Sequence, residues 1–383
     1  MNSKHAKHAK HVIIGAGIAG LYIALQLKKR REPFIVLEAS KKPRSKIVSI
    51  REENAVLELG ASVFHLNQPK LLSMIEHLGL SQKVKKLSNA RRRYIFENLS
   101  SEQAEENFKL IYKKAKQYCL TAGMSFLTVE QNAQECLTKD EFKLLKTCWD
   151  CWFENANMNA YTFYQADSEK VFYHMEGGLQ QILKAAIAEL KEYVLFDNRV
   201  SKVQYNRGTF LVKTKEEDYL TEYLYVCTGL DELEEINFNV DISRYVSLAH
   251  CESSMRMFFV LHKGIRIDPQ VVGQVWFKWM IRITPSIYMI YMDSDLANSL
   301  NKLSDAELTQ RWLFFINLVY DYALTEKHVK KVIRAYWPAA YEVLDPIYWT
   351  RDGQEAYHSI PFICTSLPTV YDQAYIEGHL LDI

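Results

Sequence analysis

The sequence predicts an α/β fold in two interleaved parts, one built on βαβ units and one a mixed sheet flanked by helices. Three observations predict it. In HVIIGAGIAGLYIALQL (11–27) a short apolar run, a glycine-rich turn and a helical run follow one another, and PFIVLEA (33–39) adds a second strand, so the chain opens as a βαβ unit. Strand-like and helical segments then alternate in two styles, without an internal repeat or a low-complexity linker. The 383 residues, 48% of them hydrophobic, suffice for two or three domains of roughly 100–200 residues.

The elements follow in order. Residues 11–15 read as a strand and 18–30 as a helix. AVLELGASVFHL (55–66) is a short extended stretch, followed by a helix over about 69–79. From about 100 to 155 apolar residues recur at threes and fours, the helical period. GGLQQILKAAIAEL (177–190) starts a helix after two glycines. Four short β-like runs come next, YVLF, SKVQYN, TFLVKT and YLYVCT, then longer strands rich in Met, Phe, Trp and Tyr over 254–292. A helix over 305–324, a strand over 329–337 and a final helix over 372–383 complete the chain.

Composition excludes several classes. Lys and Arg total 47 against 46 Asp and Glu, so net charge indicates no nucleic-acid partner. The seven cysteines, an odd number and scattered, form no disulfide framework and suit a reducing compartment. No apolar run approaches the roughly 20 residues needed to span a bilayer. No signal peptide is evident, so a soluble, cytoplasmic protein is expected. His5, His8 and His11 recur every three residues in a polar, basic start, which reads as a solvated terminus rather than a metal site. Cys148 and Cys151 form a C-x-x-C inside a helical pattern, without the second ligand pair a zinc site needs. His65 reads as a hydrogen-bonded structural histidine.

The turn carries the chemistry. Gly15, Gly17 and Gly20 have the G-x-G-x-x-G spacing of a Rossmann-like diphosphate cradle. The first permits the tight turn, the second lets backbone approach a pyrophosphate, and the third lets helix pack on strand. The helix N-terminus then offers free N–H groups and the positive end of its dipole. Glu38, closing the second strand, stands where a carboxylate accepts ribose hydroxyls, which disfavours a 2′-phosphate and hence NADP. NAD and FAD both remain open on these residues.

Further segments, in order, decide between them. LELGASVFHL, the helix PKLLSMIEHLGL, HMEGGLQQILKAAI, FDNRVSKVQYN, YLYVCTGLDEL, YWPAAY and YIEG together resemble the flavin-dependent amine oxidases, the family of monoamine, polyamine and L-amino-acid oxidases. The pieces are individually short but run through most of the chain. The resemblance implies an FAD-binding domain over 1–75, 170–245 and 330–383, interleaved with a substrate domain, partly helical, over 76–169 and 246–329. It implies cofactor contacts from Gly15, Gly17, Ile18, Ala19 and Gly20, from Glu38 and Ala39, from Lys46, and from Gly60, Ala61 and Ser62. The adenine would meet the backbone of Val200, and Thr228, Thr365, Tyr375 and Ile376 would line the rest. Tyr341 and Tyr375 match the two positions of an aromatic cage over the flavin, suited to an amine. Ala340 stands where covalent members carry a cysteine, so the FAD would be non-covalent.

Three departures qualify the resemblance. The family's G-G-R reads Arg44, Ser45 and Lys46 here, which adds two Cβ atoms and replaces a planar fork with a point charge. The family's F-A-G-E segment reads PFICTS, with Cys364 and Thr365 near the cofactor. Arg256 in SSMRMFFVL takes the place of a lysine that holds water near flavin N5, which implies a slow reaction with O2. The expected activity is FAD-dependent oxidation of a C–N bond in a small amine or amino-acid-like molecule, with Arg256, Tyr341 and Tyr375 at the reacting centre. The alternative is a degenerate member that binds FAD weakly or not at all and serves as a binding or regulatory protein. Substrate identity and oligomeric state are left open.

Overall fold

The computed structural model describes residues 6–344, apart from 44, 67, 88–91, 123–126, 150–151, 167–170, 263, 266, 268–269, 274 and 278. Four parallel strands lie in the order Tyr223–Val226, His11–Ile14, Phe34–Leu37, Val194–Leu195. The two central strands are almost entirely apolar because both faces are covered, as parallel sheets require. On one face the helix Ile18–Lys29 buries Leu21, Ile23, Ala24, Leu25 and Leu27 in one cluster with Ile182, Leu183 and Ala186 of the helix Gln180–Glu189. On the other, Val12, Ile14 and Val226 meet Val203, Val212 and Tyr219 of a second sheet.

That second sheet runs Lys7–His8, Asp218–Thr221, Thr209–Thr214, Val200–Asn206, Asn237–Phe238. Its hairpin pairs Asn206 with Thr209 across two residues, Arg207 and Gly208, both at positive φ. Such a turn matches the twist of the strands it joins.

The six-stranded sheet is ordered Val329–Leu344, Ala249–Leu261, Ile287–Asp293, Trp279–Thr284, Gln270–Gly273, Arg92–Ile95. Its strands alternate with period two. Met255, Met257, Phe259 and Leu261 face the helices Ser294–Leu300 and Asp305–Tyr320, where Trp312 stacks on Phe259 with ring centres 4.1 Å apart. Phe258, Val260, Met289 and Tyr291 face the other way and pack on Ala55 and Leu57 of the hairpin Ser49–Glu52/Ala55–Glu58. The strand 329–344 is longer than the sequence suggests and pairs along its length with Ala249–Leu261. Residues 330–344 therefore lie in the large sheet.

Five helices, from Ser101–Ala122 to Ala160–Ala166, enclose an aromatic core of Trp149, Trp152, Phe163 and Tyr164. Two of them start in capping boxes, Thr128 with Gln131 and Thr138 with Glu141, each pairing a hydroxyl with a backbone N–H three residues on. The predicted helix 372–383 lies outside the described residues. No helix among the described residues is long and apolar enough to cross a membrane.

His11 opens the central strand in an apolar setting. Its ring stacks on Tyr223 at 4.8 Å, and its Nδ1 lies 3.3 Å from the Tyr225 hydroxyl. Burial lowers its pKa, outweighing the pull of Glu32. The unfolded imidazole, with a pKa near 6.5, then binds its proton before the folded one does. Stability should be insensitive to this group above about pH 7 and fall as pH drops below 6.5. We expect the urea midpoint to fall between pH 7.5 and 5.5, and to fall less in His11→Phe. Equal pH dependence in both proteins would show that His11 is not held neutral.

Candidate functional site

The site begins where the central strand ends. Gly15 sits at φ +100°, and a Cβ there would lie 2.6 Å from the Cys227 carbonyl oxygen. At Gly20 a Cβ would lie 2.0 Å from the Gly15 carbonyl oxygen and 3.2 Å from a methyl of Ile13. These two glycines serve packing. Gly17 differs: it precedes the helix at φ −70°, and a Cβ there would meet nothing within 4 Å. The first turn of the helix, with Ile18 and Ala19, carries no acidic residue and no side-chain cap. Its N–H groups are thus available to an anion placed before Gly17.

Two polar groups flank that space. Glu38 is buried; one carboxylate oxygen accepts the Ala16 N–H at 2.8 Å, the other the Ser40 N–H at 2.9 Å and hydroxyl at 2.5 Å. A carboxylate has about four lone-pair positions, so capacity remains for a ligand hydroxyl. Thr228 stands across the turn, its backbone nitrogen 3.6 Å from the Cβ position of Gly15. Its hydroxyl oxygen is shielded from solvent and, among the described residues, has no hydrogen-bond partner. Buried polar groups are nearly always satisfied, so this one awaits a ligand or a water. Val200 is buried nearby, because Asn198 donates to the Glu38 carbonyl at 2.9 Å and Asp197 to that of Ser40 at 3.0 Å, laying this segment past Ala39.

A second segment, Glu58 to Ser62, is braced from three sides. Ala61 donates to the Lys46 carbonyl at 2.9 Å, and Gly60 comes so close to that oxygen that a Cβ would lie 1.9 Å away. The Trp337 indole donates to the Leu59 carbonyl at 2.7 Å. One guanidinium nitrogen of Arg256 donates to the Glu58 carbonyl at 2.8 Å and also to that of Gly60. Arg256 also lies over the Tyr291 ring, 5.7 Å from its centre, and Tyr291 meets Trp279 edge-on at 5.9 Å. The resemblance sets Arg256 at the reacting centre; the structure shows it holding backbone. The Glu58 carboxylate accepts from Ser49 at 2.6 Å and from the Leu179 N–H at 2.8 Å, yet its burial raises its pKa against those bonds and the Arg256 charge.

Lys46 reaches Glu342 at 2.8 Å. Burial opposes its charge, but the charge and hydrogen bond of Glu342 outweigh it and leave the lysine pKa raised. Glu342 is itself buried, next to buried Tyr341, on the strand 329–344. Nothing local in the sequence marks Glu342 or Trp337, which join this region from more than 270 residues away. Thr365, Tyr375 and Ile376, with Cys364, lie outside the described residues, so of the two tyrosines expected to form a cage only Tyr341 is among them. Cys148 is buried in the helical lobe, with its thiol pushed up to about 12 by burial. His65 lies with Nδ1 3.2 Å from the Val171 carbonyl. No metal-binding cluster of His, Cys, Asp and Glu occurs among the described residues.

The chain is similar to known proteins. The sequence profile described as flavin containing amine oxidoreductase matches residues 18–159. Protoporphyrinogen oxidase 2, chloroplastic/mitochondrial, of Arabidopsis thaliana is 30% identical over 86 residues, 22% of this chain and 17% of that protein. Coproporphyrinogen III oxidase of Propionibacterium freudenreichii subsp. freudenreichii is 34% identical over 87 residues, 23% of this chain and 16% of that one. The matched stretch thus spans less than a fifth of these relatives. A putrescine oxidase structure, with putrescine bound, superposes with a TM-score of 0.73 over 98% of this chain and 97% of that one, at 14% identity. Cyclohexylamine oxidase from Brevibacterium oxydans IH-35A superposes with 0.74 over 97% and 96%, at 12% identity. At these identities the structural likeness concerns the fold. None of these likenesses favours the alternative of a non-catalytic binding protein.

Four substitutions test the geometry without any ligand. Gly20→Ala should destabilise by about 3 kcal/mol, since its Cβ meets backbone, whereas Gly17→Ala should cost no more than about 1 kcal/mol. Arg256→Met should cost about 3 kcal/mol through the two unpaired carbonyls, and Arg256→Lys should restore part of it. Urea unfolding measures all four; equal losses in both glycine variants would refute the division of roles at the turn.

Proposed function

We propose that this chain is a divergent flavin containing amine oxidoreductase, the family whose profile matches residues 18–159, and an FAD-dependent oxidoreductase that oxidises a C–N bond of a small amine or amino-acid-like molecule by hydride transfer to the flavin. The observation that carries the reading is the open space before Gly17, bounded by the helix N-terminus and by the orphaned, shielded hydroxyl of Thr228. Gly17 is the one glycine of the turn that packing does not require, so its missing side chain is explained by something that must come close.

The residues present fit the group. The helix N–H groups beyond Gly17 would hold the diphosphate, with Ile18 and Ala19 in the first turn. Thr228 would donate its hydroxyl proton to a cofactor oxygen. Glu38, fixed by Ala16 and Ser40, would accept ribose hydroxyls with its remaining lone pairs. Val200 would present backbone to the adenine. Ala340 offers no sulfur for a thioether, so the cofactor would be held non-covalently.

When bound, FAD supplies the two-electron acceptor. The chain supplies position and dryness. The Glu58–Ser62 segment, with Gly60, Ala61 and Ser62, is held rigid by Arg256, Trp337 and the Lys46 carbonyl. Arg256 acts there as a positioning residue, keeping the approach to the cofactor fixed. The apolar face of Phe258, Val260, Met289 and Tyr291 backs the hairpin and excludes water from that side. Buried Tyr341 would offer an aromatic wall to an amine.

The purified protein should be yellow, and denaturation should release free FAD into the supernatant. Anaerobic mixing with putrescine or cyclohexylamine should bleach the flavin band, and Gly17→Val should be colourless with the parental circular dichroism. A colourless parent that takes up no added FAD would sink this reading. A flavin reduced by a porphyrinogen and by no amine would sink its C–N part.

A further inference from the structure

The helix Asp305–Tyr320 is apolar on two faces, and only one of them is used. Leu308, Trp312, Leu313, Phe315 and Ile316 bury it against the large sheet, on the side opposite the hairpin Ser49–Glu52/Ala55–Glu58. Phe314 and Leu318 point outward, 70% and 72% exposed, more than any other large apolar side chain among the described residues. Single exposed apolar residues are ordinary, but two that stand one turn apart on one stripe point to a contact face. At about 100° per residue, Glu307, Arg311, Phe314 and Leu318 fall within an arc of about 60°. Asp321 ends the same stripe, and all three charged residues are exposed.

The charges on this stripe are complementary to the stripe itself, reversed. Asp321 is the C-cap, at φ 54°, and the last helical turn holds no basic residue. Its carboxylate therefore stands at the negative end of the helix dipole, where a cation would be favourable. Arg311 lies ten residues back, about 15 Å along the axis at 1.5 Å per residue, too far to serve. Neither Arg311 nor Asp321 has an ion pair among the described residues. Glu307, one turn before Arg311, is engaged in its capping box by the Ser304 N–H at 2.8 Å and hydroxyl at 2.7 Å. Two copies of the helix set antiparallel, with their two-fold axis level with Ile316, bring Phe314 of each level with Leu318 of the other. The same register brings Arg311 level with Asp321, twice over. Centring the pair on Phe314 instead would set Glu307 level with Asp321, like charge against like. We propose that this face is an isologous contact through which the chain pairs with a second copy of itself. A contact of one helix with its copy is small beside the roughly 1,200–2,000 Å² of a standard interface, so the dimer should dissociate in the micromolar range.

Sedimentation equilibrium of the full-length protein, from about 1 to about 200 µM, tests the contact. The parent should pass from monomer to dimer over that range. The double variant Phe314→Ser, Leu318→Ser should stay monomeric with the parental circular dichroism, since both side chains are exposed. Arg311→Asp and Asp321→Arg, measured separately, should each weaken the dimer about tenfold or more, because the two-fold axis repeats every like-charge contact. An equal mixture of these two variants should pair about as tightly as the parent, since each contact again joins Arg to Asp. A parent that is monomeric throughout overturns the proposal. So does a dimer indifferent to Phe314→Ser, Leu318→Ser, which decides the matter even if Asp321→Arg disturbs the helix end. A mixture of well-folded charge variants that pairs no better than either alone overturns the antiparallel register.

Discussion

A Cβ on Gly20 would lie 2.0 Å from the Gly15 carbonyl oxygen, and this prohibition governs the packing around the parallel sheet. Because neither glycine carries a side chain, the helix Ile18–Lys29 can start directly against the end of the central strand. That close start aims the helix N-terminus at the space before Gly17 and buries Leu21, Ala24 and Leu25 on the sheet. The neighbouring strand then brings Cys227 and Thr228 against Gly15, and the next one brings Glu38 under Ala16. Cradle and core are thus one construction. A side chain at either packing glycine would displace the helix and the site together.

The two parts of the fold are joined by polar contacts aimed at backbone. Arg256 from the large sheet and Trp337 from its edge strand both bond carbonyls of Glu58, Leu59 and Gly60. Carbonyls in such a turn would otherwise be buried without partners, a cost the guanidinium and indole offset. The same contacts fix where the turn stands relative to the large sheet. A permanently charged residue suits this use, because its donors do not depend on pH. Nothing in that role requires contact with a substrate.

Charge around the cradle is uneven. The helix end and the Thr228 hydroxyl suit an anion, whereas Asp231, Glu232 and Glu342 do not. Backbone polarity on one side of the turn and side-chain charge on the other are thus opposite in sign.

By itself the sequence determined what local chemistry dictates. Glycine spacing identified the turn because sterics at Gly15 and Gly20 admit nothing else, and Glu38 was legible from its place at the end of a strand. The helical period over 100–155 was legible too, and the capping boxes at Thr128 and Thr138 that the structure shows there are contacts of the same short range. Thr228 and Val200 were reachable only through resemblance, since one hydroxyl or one valine at a strand end is no signal. Tertiary structure alone decided the rest. Lys46 meets Glu342 across 296 positions, Arg256 meets Glu58 across 198, and the strand 329–344 chooses the large sheet over the parallel one. No periodicity or spacing encodes such pairings. They are settled by which buried charge or carbonyl would otherwise go unsatisfied, and that is known only once the surrounding chain has folded.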